Sequence, residues 1–244
     1  MWGAEYDFVP LRAEHNFRFD VEEMLRRMDG RHKLVYVDTP NNPTGQAIPL
    51  DEVEALVKRA EALSIPIIVD EAYGDYMPRE QSALTLAPNH ENLVVLRSFS
   101  KAHGLAGIRA GYGFMPKQLT VPLDNITHPY ICSSPARLVA QAALEDEGFL
   151  EKTRRLTAQC KRPFLEKSWR DLTISHTSPE TPILLLTHSD IKVNLKKAFD
   201  PFRIKVVSGT AFVGLGANSV RVRVPGEKDQ KAVLEAMDQI DLLS

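Results

Sequence analysis

The sequence predicts an α/β chain: a large domain built on a mostly parallel sheet, followed by a smaller C-terminal α+β domain. Three observations carry that expectation. Apolar runs of strand length recur at "KLVYV" (33–37), "IPIIVD" (65–70) and "NLVVLRS" (92–98), and unbroken runs of this kind suit parallel strands covered on both faces. A helical pattern lies between the first two, as a layered sheet requires. From about residue 134 the chain turns to a long charged helical stretch, then to short strands interleaved with helices.

The opening residues, "AEYDFVPL", read as a short strand. Asp20 follows as N-cap of "VEEMLRRM", with Glu22 and Glu23 in the first turn and Arg26 and Arg27 in the last, the charge order that the helix dipole favours. Gly30 is placed to end that helix. The first parallel strand leads into a loop, "DTPNNPTGQAIP". Residues 50–63 then put Val53, Leu56, Val57, Ala60 and Leu63 at helical spacing, with charges opposite. "RAGYGF" (109–114) reads as a fourth strand. The helical stretch from Ser134 carries a narrow stripe of Ala136, Val139, Ala140 and Ala143, suited to close packing, and bridges two domains, 1–149 and 150–244. "TPILLLTH", "FRIKVVS" and "SVRVRV" are the strands of the second domain, and 190–199 and 227–241 its helices.

Composition narrows the functional classes. A net charge of −2 offers no electrostatic case for nucleic acid or an anionic membrane. Two cysteines, Cys132 and Cys160, without paired spacing or matching histidines argue against a metal site and suit a reduced, cytoplasmic setting, with both thiols expected inert in the core.

The chemistry-bearing residues gather where an open α/β sheet binds its ligands, at the carboxyl ends of the strands: Asn42 after the first, Asp70 and Tyr73 after the second, Ser98 and Lys101 after the third. A lysine in a tight, partly desolvated turn can attack a carbonyl. The aldehyde of pyridoxal 5′-phosphate is a fitting partner, with a carboxylate such as Asp70 facing its pyridinium nitrogen. Asn42 and Tyr73 could reach the phenolic oxygen, and Ser98 and Arg109 the phosphate.

"NNPTG" (41–45), "DEAYGDY" (70–76) and "SFSKAHGLAGIRAGYG" (98–113) resemble, in order and spacing, the class I and II aminotransferases of fold type I, most of all the histidinol-phosphate aminotransferase branch. The resemblance implies a PLP-transferase-like large domain, incomplete because relatives carry an N-terminal portion ahead of this stretch. It implies pyridoxal 5′-phosphate held as a Schiff base on Lys101, which also shuttles a proton. Asp70 would pair with the ring nitrogen, Asn42 and Tyr73 with the phenolic oxygen, and Ser98 and Arg109 with the phosphate. "SVRVRVPGEKDQ" resembles the strand whose arginine clamps the substrate carboxylate. Arg221 aligns best, and Arg223, two residues on and on the same face, is the alternative. Amino-acid and 2-oxo-acid substrates and a homodimer are implied as well.

Blander expectations stand beside these. Asn42 could merely shape the turn, Glu71 is expected as a loop carboxylate, and His103 as structural or lining the entrance. The arginine pair could lie on a solvated edge strand, and "EDEGFLEKTRR" reads as a solvated helix face. Two further functions compete with the aminotransferase: a decarboxylase or lyase of the threonine-phosphate type, and a shortened chain that folds without cofactor.

Overall fold

A computed structural model describes residues 3–127 and 131–243. Two four-stranded sheets organise the chain. The first comprises β1 (Val35–Asp38), β2 (Ile67–Asp70), β3 (Leu93–Ser98) and β4 (Gly111–Phe114), in that spatial order. β1, β2 and β3 run parallel, with Asp38 opposite Asp70. β4 returns antiparallel to β3, with Ser98 opposite Gly111. The sheet is therefore mixed and mostly parallel, as expected.

Helix α1 (Val21–Arg27) starts where Asp20 accepts a hydrogen bond from the Glu23 amide. It ends earlier than expected, at Met28, whose extended backbone terminates the helix before Gly30 is reached. Helix α2 (Leu50–Ala62) buries Val53, Leu56, Val57 and Ala60 against the sheet, the stripe its spacing predicts. Together with Val35, Val37, Ile67, Val69, Leu93 and Val95 they form the first core. The expected strand at the N-terminus is absent: residues 4–11 have no strand assignment, and Tyr6 and Phe8 are exposed. Alternation alone does not make a strand without a partner ladder. Between β2 and β3 the chain runs through four short 3₁₀ turns.

Helix α3 (Lys117–Ile126) follows β4. The long helix expected from Ser134 is two helices, α4 (Ser134–Glu145) and α5 (Glu147–Leu165). The break falls at Asp146, whose carboxylate caps the Phe149 amide and restarts the ladder. The alanine stripe does pack: Ala136 and Ala140 are buried with Phe99 and Ala110, directly behind the turn that carries Lys101, while Val139 stays largely exposed. The expected division at 149/150 falls inside α5. Its Leu150 packs on the cluster of Tyr73, Tyr76, Ala102 and Ile183, and its Phe164 lies in the core of the second sheet.

That second sheet is antiparallel, in the order β5 (Leu172–Ile174), β6 (Ile183–His188), β8 (Ser219–Arg223), β7 (Val207–Ser208). β5 went unpredicted because three residues are too few to show a period. The helix expected over 190–199 is confined to α6 (Leu195–Phe199), and "FRIKVVS" contributes only the two residues of β7. Helix α7 (Glu227–Ile240) covers the sheet with Val233, Ala236, Met237 and Ile240. β8 lies between β6 and β7, so Arg221 and Arg223 sit on an interior strand and not on an edge. Cys132 is exposed, not the core thiol expected, whereas Cys160 is half-buried and packs against the core of the second sheet. No described helix is long and apolar enough to cross a membrane.

Candidate active site

The carboxyl edge of the first sheet is built from strand ends. Val37 and Val69 point into the core, so alternation turns Asp38 and Asp70 to the other face, side by side in register. Asp70 Oδ1 accepts the Ala72 amide at 2.9 Å, and Oδ2 accepts the Tyr36 hydroxyl at 2.8 Å. Burial, then the bond to Asp70, pushes the Tyr36 phenol upward, which keeps it a donor. Asp38 accepts the Asn42 amide and the Asn41 side-chain amide, each at 2.9 Å. Burial nevertheless raises its carboxyl above the ordinary range. Asp38 and Tyr36 were not singled out from sequence. The signal was there in the Val-Asp pair that ends both "VYVD" and "IIVD".

The two asparagines divide the work of the loop after β1. Asn41 shapes the turn: its Oδ1 accepts the Thr44 amide at 3.2 Å and the Thr44 hydroxyl at 2.6 Å. Asn42 faces away from the turn, and its Oδ1 accepts from Arg221 Nη1 at 2.8 Å, 179 residues distant in sequence. Arg223 shares that face of β8 but is exposed; its charge bears on Tyr76, whose phenol burial raises.

The lysine turn folds three of its side chains inward. Phe99, Ala102 and His103 are buried, and Gly104 takes a positive φ of 70° that lets its amide return to the Lys101 carbonyl at 3.0 Å. Lys101 itself is exposed, not partly desolvated as expected. Its neighbours fill the core, and its side chain is left on the open edge. There Nζ lies 5.3 Å from the centre of the buried Tyr73 ring. Ser98 ends β3 and accepts the Ser100 amide at 3.1 Å. Phe99 bonds the Ala110 carbonyl at 3.3 Å, which brings Arg109 beside that strand end. Arg109 precedes the strand it was expected to begin. Its backbone is left-handed at φ 54°, and its guanidinium turns back to the Ala106 carbonyl at 2.9 Å. The structure thus gathers Asp70, Tyr73, Ser98 and Lys101 on one edge, with Asn42 joined to Arg221 beside them. It leaves Arg109 and Arg223 facing outward.

Beneath this edge lies an ion network that sequence did not disclose. Glu71 is a loop carboxylate as expected, one residue past β2, but it is buried. It accepts Arg97 Nε at 2.8 Å, the Ser82 hydroxyl at 2.7 Å and the Ala83 amide at 2.6 Å. Arg97 also pairs with Asp75, whose second oxygen lies 3.5 Å from His103 Nε2. His103 is structural in the sense expected, packed on Phe99 with ring centres 5.1 Å apart.

A second buried cation sits in α5. Lys161 is fully buried. Burial draws its ammonium down from the ordinary 10.5 to about 7, opposed by the nearby Glu180 charge. The unfolded chain then binds one more proton than the folded chain between pH 7 and 10.5, so this group makes stability rise with pH through that window. Thermal melting of the wild type and of Lys161→Met across the window should show a gap in Tm that widens as pH rises. A gap independent of pH would contradict this.

A groove of about 420 Å³ along β5, lined by Phe164, Trp169 and Ser175 among others, contains none of the strand-end groups. The site is marked by convergent chemistry, not by cavity size.

A mostly parallel sheet thus carries an acid, a tyrosine, a hydroxyl and an amine at or just past two neighbouring strand ends, with an arginine from the second sheet bonded to the loop beside them. Residues 1–240 match the aminotransferase class I and II family, and the chain belongs to that family. The family's cofactor is pyridoxal 5′-phosphate. The chain is 31% identical over 236 residues to histidinol-phosphate aminotransferase 1 of Caulobacter vibrioides, a match covering 95% of this chain and 65% of that protein. It spans, then, just under two thirds of that relative's length. Its fold is similar to that of the histidinol-phosphate aminotransferase from Clostridium acetobutylicum, with TM-score 0.83 and 22% identity over 93% of this chain and 69% of that one. It is similar as well to L-threonine-O-3-phosphate decarboxylase from Porphyromonas gingivalis, with TM-score 0.75 and 19% identity over 91% and 69%.

Proposed function

We propose that this chain is the catalytic part of a pyridoxal-phosphate-dependent aminotransferase. It would move an amino group between an amino acid, or an amine resembling histidinol phosphate, and a 2-oxo acid. The observation that carries this reading is the exposed Lys101 amine beside the Tyr73 ring, on the edge that holds Asp70. The donor set suits the family cofactor: an amine for its aldehyde, a carboxylate for a cationic ring nitrogen, polar groups for a phenolate, and a hydroxyl and a guanidinium for a phosphate.

When bound, pyridoxal phosphate supplies an electrophilic carbonyl and an electron sink. The chain's own residues supply the rest. Lys101 Nζ anchors the cofactor and, once released, takes a proton from the substrate Cα and returns one. Asp70, held by the Tyr36 hydroxyl and the Ala72 amide, keeps a carboxylate facing the ring nitrogen. Asn42 and Tyr73 would hold the phenolic oxygen, and Ser98 and Arg109 would hold the phosphate, the Arg109 guanidinium leaving the Ala106 carbonyl to do so. Arg221, steadied by Asn42, receives the substrate carboxylate, with Arg223 as the second cation on that face. Residues 1–149 form the cofactor unit and 150–244 the smaller unit, working in the cytoplasm as a homodimer on small-molecule substrates.

Replacing Arg221 with lysine removes the planar fork that grips a carboxylate. KM for the amino acid should rise about 10- to 100-fold, since hydrogen bonds to charged groups contribute about 1.5–3 kcal/mol. An unchanged KM would transfer the role to Arg223.

The half-reaction tests the function itself. Cofactor-loaded protein given a panel of amino acids and phosphorylated amines should convert its cofactor to the amine form. Release of carbon dioxide without that conversion would favour the decarboxylase reading. Failure to take up cofactor at all would overturn both.

A further inference from the structure

Of the buried groups that the proposed chemistry leaves unused, Lys161 has the most specific surroundings. Its Nζ lies 2.6 Å from both Thr177 Oγ1 and the Ser178 carbonyl and 3.0 Å from both Thr181 Oγ1 and the Ile183 carbonyl, so its few N–H donors are shared among four oxygens. All four acceptors are neutral, and no carboxylate is among its hydrogen-bond partners. An ion pair would be satisfied by one partner. Here one amine nitrogen meets four oxygens from a seven-residue stretch at a single point and so fixes the path of that stretch.

The same oxygens form a seat for Gly45. Its backbone is at φ +77°, and a Cβ there would lie 2.6 Å from Thr177 Oγ1, 2.7 Å from the Ile183 carbonyl and 2.7 Å from Thr181 Oγ1. Three of the four Lys161 acceptors are thus the atoms nearest to Gly45. The seat also bonds what it holds. Thr181 Oγ1 and the Ser178 amide donate to the Gly45 carbonyl at 2.7 and 3.1 Å, and Ser178 Oγ accepts the Ala47 amide at 2.9 Å. The Gly45 amide returns to the Asn41 carbonyl at 2.7 Å, one residue from Asn42. On its other side Lys161 holds the first residue of β6, which pairs with Arg223; two residues on, Leu185 pairs with Arg221.

We propose that Lys161 is a positioning residue: by gathering Thr177, Ser178, Thr181 and Ile183 it builds the joint that seats Gly45 and so sets Asn42 and Arg221 in register across the two sheets. As a statement about substrate binding this rests on the aminotransferase reading; as a statement about the joint it does not. Lysine suits the place because its ammonium is compact, with rotatable donors, whereas a planar guanidinium cannot point all its donors at one spot. An apolar side chain would leave the Ser178 carbonyl to Thr181 alone and the Ile183 carbonyl with only the longer bond from Thr177 on this side.

The test compares Lys161→Met, which keeps an unbranched stem and removes the terminal nitrogen, with Val233→Ala, a core variant of the second sheet that leaves the joint intact. Amide hydrogen exchange of the full chain is read first, with no cofactor added. Lys161→Met should speed exchange at the Gly45 and Ala47 amides about tenfold or more, while Val233→Ala should change them no more than it changes the rest of the chain. Unchanged exchange at both amides, or an equal rise in both variants, overturns the proposal. Should Lys161→Met fail to fold, Gly45→Ala presses on the same cradle from the other side, and Ala47 should be loosened selectively there too; protection retained in that variant overturns the proposal.

The second readout is binding of a 2-oxo acid, 2-oxoglutarate, to the cofactor-loaded protein. Lys161→Met should weaken it about fivefold or more beyond the effect of Val233→Ala. Loosened amides with undiminished binding would overturn the link to Arg221. Loosened amides in a chain that never takes up cofactor would uphold the joint and refute only the aminotransferase reading.

Discussion

Replacing Arg97 with methionine is expected to destabilise the chain by about 3–5 kcal/mol, the range for breaking a buried ion pair by removing one partner. The side chains of Arg97 and Glu71 are only 6% and 3% exposed, and that of Asp75 is 11% exposed. Methionine fills the space but leaves two carboxylates sharing a buried site with no cation between them. Glu71 would keep Ser82 and Ala83 as donors, and Asp75 only the neighbouring His103. Urea unfolding of the purified variant measures the loss. Adding Glu71→Gln should recover part of it, because the second change removes one of the orphaned charges. A loss below about 1 kcal/mol, the range of a surface pair, would mean that water reaches the network and that it does not hold the loop. The consequence extends to the site. The segment clamped by Arg97 runs from Glu71 to Ser82 and carries Tyr73, so a loosened network should also raise the cofactor concentration needed for half-saturation.

Lys101→Ala carries the largest functional effect. Proton transfer by a positioned base contributes about 10²- to 10⁴-fold, and the variant forfeits the covalent anchor as well. In a stopped-flow half-reaction the rate constant should fall by at least about 10²-fold. Lys101 is exposed and its neighbours make the core without it, so the melting temperature should stay within a few degrees of the wild type. A variant that keeps most of its rate would remove Lys101 from the mechanism.

Much of the fold could be read in the sequence because its elements obey one local rule each. The buried runs of β1, β2 and β3 show both-face coverage, and α2 shows its stripe at a 3.6-residue period. The Asp20 cap announced α1. What escaped depends on partners distant in the chain. Tyr6 and Phe8 alternate as in a strand, yet no described strand pairs with them. Arg97 reads as a polar residue closing a strand until the fold brings Glu71 to it. Lys161 follows a charged helical run that reads as solvated, and only tertiary structure shows four oxygens meeting it. The site was legible for a related reason. Its residues sit at strand ends, so locating the strands located Asp70, Ser98 and the Lys101 turn. Their orientations were not legible: the outward Arg109 and the Asn42–Arg221 bond depend on backbone angles and on a contact across the two sheets.

The central claim is that Lys101 is the cofactor lysine. It is tested most directly by mixing the chain with pyridoxal phosphate, recording the visible spectrum, reducing with borohydride and mapping the labelled peptide. An absorbance band for covalently held cofactor and a single label on Lys101 are expected. No band, or label scattered over surface lysines such as Lys58 and Lys231, would contradict it.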